Sequence, residues 1–185
     1  MRYFKPELLA RCRSRDDEVA EVAAGEWEEA VAAYRARLEA VRAHLPGKVE
    51  RLRSRFSLHD AEVLGIAFGS EKARFGILLR PEGSSTRPGK ILDLNYHPVA
   101  GANGGVSIRG QTQANGGPRK DVWVLYDEFD LDEQHGFFTH SLLLSDGHEI
   151  EVRFTGMTVR LLDEIVTPTQ LTDREKKWLT ACPTS

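Results

Sequence analysis

Apolar side chains at Ala20, Ala24, Trp27, Val31, Tyr34, Leu38, Val41 and Leu45 recur at alternating steps of four and three. That spacing draws a single stripe along a helix, with Glu and Arg covering the other faces. Helix is expected from about residue 5 to residue 45. Pro6 suits a first helical position, and Ser14 ahead of Asp16-Asp17-Glu18 marks a second start, with room for a kink between the two. Pro46-Gly47 stops the pattern, and a shorter helix through Val49, Leu52 and Phe56 runs back, giving a helical hairpin. The stripe has two uses. It can be the seam of a homodimer through Trp27, Val31, Tyr34, Leu38, Val41 and Leu45, or it can pack on the chain's own sheet. The second is preferred, because three heptads is near the lower limit for a coiled coil.

After residue 60 the period falls to two. Strands are expected at Glu62 to Phe68, Ala73 to Leu79, Lys90 to Tyr96, Val122 to Leu131, Phe137 to Leu144 and Glu149 to Phe154. Between the third and fourth lies a long stretch rich in Gly, Asn and Gln, with one short strand at Val106 to Gln111. Near the end, Thr172-Asp173-Arg174-Glu175 has the form of a capping box opening a short helix with Trp178 and Leu179. The expected fold is therefore α+β, with an N-terminal helical hairpin (1–56), a predominantly antiparallel sheet (57–166) and a tail with a short helix (167–185). The first two segments share one core.

Register follows from keeping apolar faces together. A three-residue loop Ser145-Asp146-Gly147, with Gly147 left-handed, pairs Leu142 with Ile150, His140 with Val152 and Phe138 with Phe154. For the preceding turn, a loop Asp132-Glu133-Gln134-His135 pairs Phe129 with Phe138 and Leu125 with Leu142. It also sets Asp127 directly opposite His140 on an otherwise apolar face. A buried carboxylate needs a partner, so a structural pair is favoured over a proton-transfer pair or half a metal site. The adjacent doublet His59-Asp60, where helix gives way to strand, joins Asp127 and His140 as a candidate polar cluster. Asp60 is expected to cap local backbone amides.

The run Asp127-Glu128-Phe129-Asp130-Leu131-Asp132-Glu133 is the densest charge in the chain. Glu128, Asp130, Asp132 and Glu133 are expected on its solvent side. There they either discourage sheet aggregation or form a surface for a cationic protein partner.

Motifs with fixed spacing are missing. Gly83 to Lys90 carries one residue too many between its glycines for a phosphate-binding loop, and Ile91 stands where a hydroxyl residue would hold magnesium. Gly101, Gly104 and Gly105 miss the dinucleotide spacing, and no HExxH or GxSxG occurs. No catalytic residue, cofactor or metal is assigned. A net charge of −3 argues against wholesale nucleic-acid binding, and no apolar run is long enough to span a membrane. Cys12 and Cys182 match no redox or zinc spacing, and no secretory leader is visible, so a cytoplasmic location is expected.

Several short segments resemble a bacterial protein family of unknown function. They are Met1-Arg2-Tyr3-Phe4, Leu58-His59-Asp60-Ala61, Trp123-Val124-Leu125-Tyr126-Asp127-Glu128 and the hairpin LLLSDGHEIEVRF. The segment from Gly101 to Gly117 looks like an insertion relative to it. The resemblance implies helices first and an antiparallel sheet after, and no established activity. A Leu-His-Asp strand start also occurs in proteins similar to immunity partners of bacterial toxins, which puts protein binding first by analogy. A metal-assisted hydrolase using His59, Asp60, Asp127 and His140, and a structural dimerisation module, are the alternatives.

Overall fold

Period-two apolar residues bury one face of a sheet, and the helical stripe supplies the surface that covers it. In the computed structural model, which describes residues 1–69, 74–81, 90–99, 105–110 and 121–163, the order is α1 (Pro6–Cys12), α2 (Asp17–Val41), α3 (Gly47–Arg55), β1 (Glu62–Gly69), β2 (Arg74–Arg80), β3 (Lys90–Pro98), β4 (Val106–Arg109), β5 (Val124–Asp132), β6 (Phe137–Leu144) and β7 (Glu149–Asp163). A single 3-10 turn, Arg42–His44, links α2 to α3. The α+β class and the antiparallel sheet are as the pattern predicts. The proposed helix near Trp178 and most of the Gly-rich segments lie outside the described residues.

Two starts in the first helical stretch are real. Pro6 opens α1, and α2 begins afresh where the Asp16 carboxylate accepts hydrogen bonds from the N–H groups of Glu18 (3.1 Å) and Val19 (3.3 Å). The stripe then turns inward. Leu38, Val41 and Leu45 are buried with Val49 and Leu52 of α3 against Ile77, Leu79, Leu92, Leu94, Leu142 and Val152. The seam considered for a homodimer is thus occupied along this half by the chain's own core.

The sheet runs β1-β2-β3-β7-β6-β5, every pair antiparallel, with β4 beside β7. It curls until its two edges meet. Asp60 N–H donates to Val124 C=O (2.8 Å), Val124 N–H to Ala61 C=O (2.9 Å), and Val63 N–H to Val122 C=O (2.7 Å). α2 packs on β5 and α3 on β7, which closes the concave side. β7 runs to Asp163, well past the Phe154 expected, because its second half pairs with β3 from Lys90 to Pro98.

The β6–β7 register is as predicted: Phe138 faces Phe154, His140 faces Val152 and Leu142 faces Ile150, with Gly147 at φ +85°. The β5–β6 register is not. Phe129, rather than Asp127, sits opposite His140, and Asp127 sits opposite Leu142. The loop is still four residues, but it is Glu133-Gln134-His135-Gly136, because Gly136 supplies the left-handed position (φ +69°) and Asp132 remains in the strand. A slip of two residues keeps every side chain on its face, so the apolar pattern alone could not choose between them.

Candidate functional site

His140 stands on β6 in the middle of the core and is fully buried. The Phe129 ring stacks on it, centroids 3.8 Å apart, as a consequence of the register just described. Its Nδ1 lies 2.6 Å from the Tyr96 hydroxyl of β3, itself fully buried. Burial, and then the nearby Asp127 charge, push the Tyr96 phenol well above its ordinary range, so Tyr96 keeps its proton and meets Nδ1 as a neutral hydroxyl. The other ring nitrogen, Nε2, has no hydrogen-bond partner, and 3.5 Å beyond it stands the Asp127 carboxylate. Asp127 and His140 are therefore neighbours, but on the diagonal and at a separation too long for a good hydrogen bond.

Asp127 opens onto a cleft of about 250 Å³ between α3, β5 and the chain entering β1. Phe4, Tyr34, Tyr126 and Phe129 give it aromatic walls, while Arg53 and His59 stand at its polar side. Tyr34 reaches across from α2 and its hydroxyl accepts the Phe129 N–H at 2.9 Å. Burial, and then the Asp127 charge, raise this phenol too. Arg53 lies 3.4 Å from Glu50. His59 packs edge-on against Tyr126 (5.4 Å between ring centres), and its Nδ1 lies 2.6 Å from the Asp60 carboxylate.

The doublet thus sits where a turn needs it. Ala61 N–H closes the turn onto Leu58 C=O (3.0 Å), and Asp60 takes φ +60°, a conformation Asp tolerates better than most residues. The Asp60 side chain engages the neighbouring imidazole rather than the backbone amides it was expected to cap. The four predicted cluster residues accordingly divide into a rim pair, His59–Asp60, and a deeper pair, Asp127–His140. Among the described residues, no three His, Cys, Asp or Glu side chains gather in a way that would hold a metal ion.

The acidic run is differently arranged from the solvent-facing surface expected of it. Glu128 is buried, and its carboxylate accepts the backbone N–H groups of Arg2 (2.8 Å), Tyr3 (2.8 Å) and Phe4 (2.6 Å). Three successive amides converging on one anion form a nest, and this one straps the N-terminal segment over β5. Asp130 takes Arg37 (2.7 Å) and Arg2 (3.3 Å), and Glu133 takes a second nitrogen of Arg37 (2.8 Å). Asp132 caps the turn through the N–H groups of Gln134 and His135, and the His135 side chain holds its carboxyl below the usual range. Each of these acids is committed inside the chain. Asp127 is the exception.

Sequence reasoning missed Phe4, Tyr34, Arg53 and Tyr126 as cleft residues, and Tyr96 as the partner of His140. For Tyr126 the obstacle is the irregularity between Val124 and Tyr126, which upsets simple alternation just where the strand meets the cleft. It also missed Asp93, buried on the opposite face and held by Arg160 at 2.5 and 2.8 Å. No helix among the described residues is long and apolar enough to cross a membrane. No protein-family model matches the chain, and no curated protein matches it.

Proposed function

We propose that this protein is a binding module for a protein partner, and that it recognises the partner through the cleft between α3 and β5. One observation carries this reading: Asp127 is a carboxylate, three-quarters covered, that receives no hydrogen bond among the described residues, while its neighbours in the same run are all engaged. Such a carboxylate is left to the water of the cleft, and a charged donor brought by a partner can take the place of that water. The partner is cationic where it touches this cleft. The acidic run contributes the strap and the edge cover that shape the site, rather than the contact itself.

A hydrolytic reading has less support, because the His and Asp groups divide into two pairs and the buried Tyr96 is out of reach of a substrate. A dimerisation module has less as well, since Leu38, Val41 and Leu45 are spent on the core.

The test compares capture of a partner from the native host by the wild-type chain, Asp127→Asn and Asp132→Asn. The expected outcome is a partner retained by wild type and Asp132→Asn, released by salt, and lost by Asp127→Asn. Equal retention by all three variants would sink the reading.

A further inference from the structure

We propose that the cleft is a slot for one arginine side chain, presented on an extended segment of the partner protein. This deepens the binding reading above and rests on it.

The floor selects charge. Asp127 faces the cleft, and behind it the fully buried His140 directs Nε2 at the carboxylate from 3.5 Å without completing a hydrogen bond. Nδ1 is engaged by the Tyr96 hydroxyl at 2.6 Å, so the close hydrogen bond of the ring lies on the side away from the carboxylate. The two basic side chains of the lining, Arg53 and His59, have their own carboxylates: Arg53 has Glu50 at 3.4 Å and His59 has Asp60 at 2.6 Å. A positive group entering the cleft therefore meets a carboxylate that no side chain among the described residues hydrogen-bonds.

The walls select shape. Phe4, Tyr34 and Tyr126 surround the approach to Asp127 with ring surface. A guanidinium is flat, stacks on aromatic rings and presents two parallel N–H groups to a carboxylate, whereas an ammonium is a compact, strongly hydrated point charge. The cavity of about 250 Å³ falls below the range of about 300–1,000 Å³ typical of drug-sized ligands, and suits a single long side chain.

The edge of β5 selects a protein-borne source. Along this edge Phe129 N–H is taken by the Tyr34 hydroxyl (2.9 Å) and Leu131 C=O by Arg37 (2.7 Å), while Val124 is bonded to Asp60 and Ala61. Strand alternation turns the N–H and C=O of Asp127 to the same side as those of Phe129 and Leu131, toward the cleft. An extended segment carrying the arginine finds backbone groups there as well as the carboxylate.

The experiment is a titration of the full-length, ¹⁵N-labelled chain with a blocked Gly-Gly-Arg-Gly-Gly peptide, its Lys counterpart and ethylguanidinium, followed by amide shifts and Trp27 fluorescence. Trp27 reports on the cleft because its ring lies 4.6 Å from Tyr126. The expected result is that the Arg peptide shifts His59, Tyr126 and Asp127 and binds about tenfold or more tightly than the Lys peptide or ethylguanidinium. Asp127→Asn weakens it by a similar factor and Tyr126→Leu by severalfold, while Asp132→Asn does not. Tyr126→Leu keeps the test open should Asp127→Asn fail to fold. Equal binding of the Lys peptide overturns the arginine slot but leaves the cleft as the recognition site. Equal binding of ethylguanidinium overturns the protein-borne source. Absence of cleft shifts with every probe at millimolar concentration overturns the slot, and the partner-capture comparison then decides the broader reading separately.

Discussion

Tyr96 keeps its proton because burial makes the phenolate costly, and its hydroxyl is the hydrogen-bond partner of the buried His140 Nδ1. Replacing Tyr96 with Phe leaves a fully buried Nδ1 without a hydrogen-bond partner. The expected loss is about 1–3 kcal/mol by urea unfolding. A pH dependence follows from the same residue. The Tyr96 and Tyr34 phenols are both raised in the folded state, so above pH 10 the unfolded chain releases protons that the native chain retains. Their stabilising contribution is complete below pH 10 and declines as the pH rises beyond it. Urea unfolding at pH 9 and pH 11 should show that decline, and Tyr96→Phe should show a smaller one. None of this was legible beforehand. Tyr96 reads in sequence as the apolar end of a strand, and only the β3–β7–β6 strand order brings its hydroxyl beneath His140.

At the level of elements, the two β-turns show what pattern can and cannot decide. Ser145-Asp146-Gly147 was legible because the alternative loop would have placed Leu142 and Leu144 opposite glutamates. The β5–β6 turn offered no such conflict. Both registers keep Phe129, Leu131, Phe138 and His140 on one face, and the choice falls to local turn chemistry: Gly136 is left-handed and its N–H bonds back to Asp132 C=O at 2.8 Å. Two glycines of similar φ then predict different outcomes. A Cβ on Gly136 meets nothing within 4 Å, so Gly136→Ala should cost about 1–2 kcal/mol, from its backbone conformation alone. A Cβ on Gly105 comes within 2.7 to 2.9 Å of backbone atoms of Val99 and Arg153, where the chain rejoins β7 beside the point at which it left. Gly105→Ala should therefore cost about 3 kcal/mol or more. Thermal or urea unfolding of the two variants side by side checks the contrast.

For the whole molecule, the helix stripe followed by period-two strands was enough to give the α+β class and the covered face. The closure of the sheet was not legible, because it depends on three backbone hydrogen bonds between residues some sixty positions apart. The strap was missed for a different reason. An acid in a charged run looks solvent-facing, and nothing in Glu128 itself signals that the amides of residues 2 to 4 will cover it. Glu128→Ala removes the acceptor for all three amides at once, yet those amides can turn to water if the segment lifts. The expected result is therefore local: the amides of Arg2, Tyr3 and Phe4 lose about tenfold or more of their hydrogen-exchange protection, while the core strands keep theirs. Loss of protection throughout the sheet would show instead that the strap is integral to the fold.

The strap also has a consequence in time. Synthesis delivers residues 2 to 4 well ahead of the carboxylate that holds them, which follows more than 120 residues later. Contacts so distant along the chain form late. Phe4, which completes the aromatic wall of the cleft, can take its place only after β5 exists to receive it. A chain ending before Glu128 would carry residues 2 to 4 loose, so competence to bind should arise abruptly, once β5 has been made and taken its place.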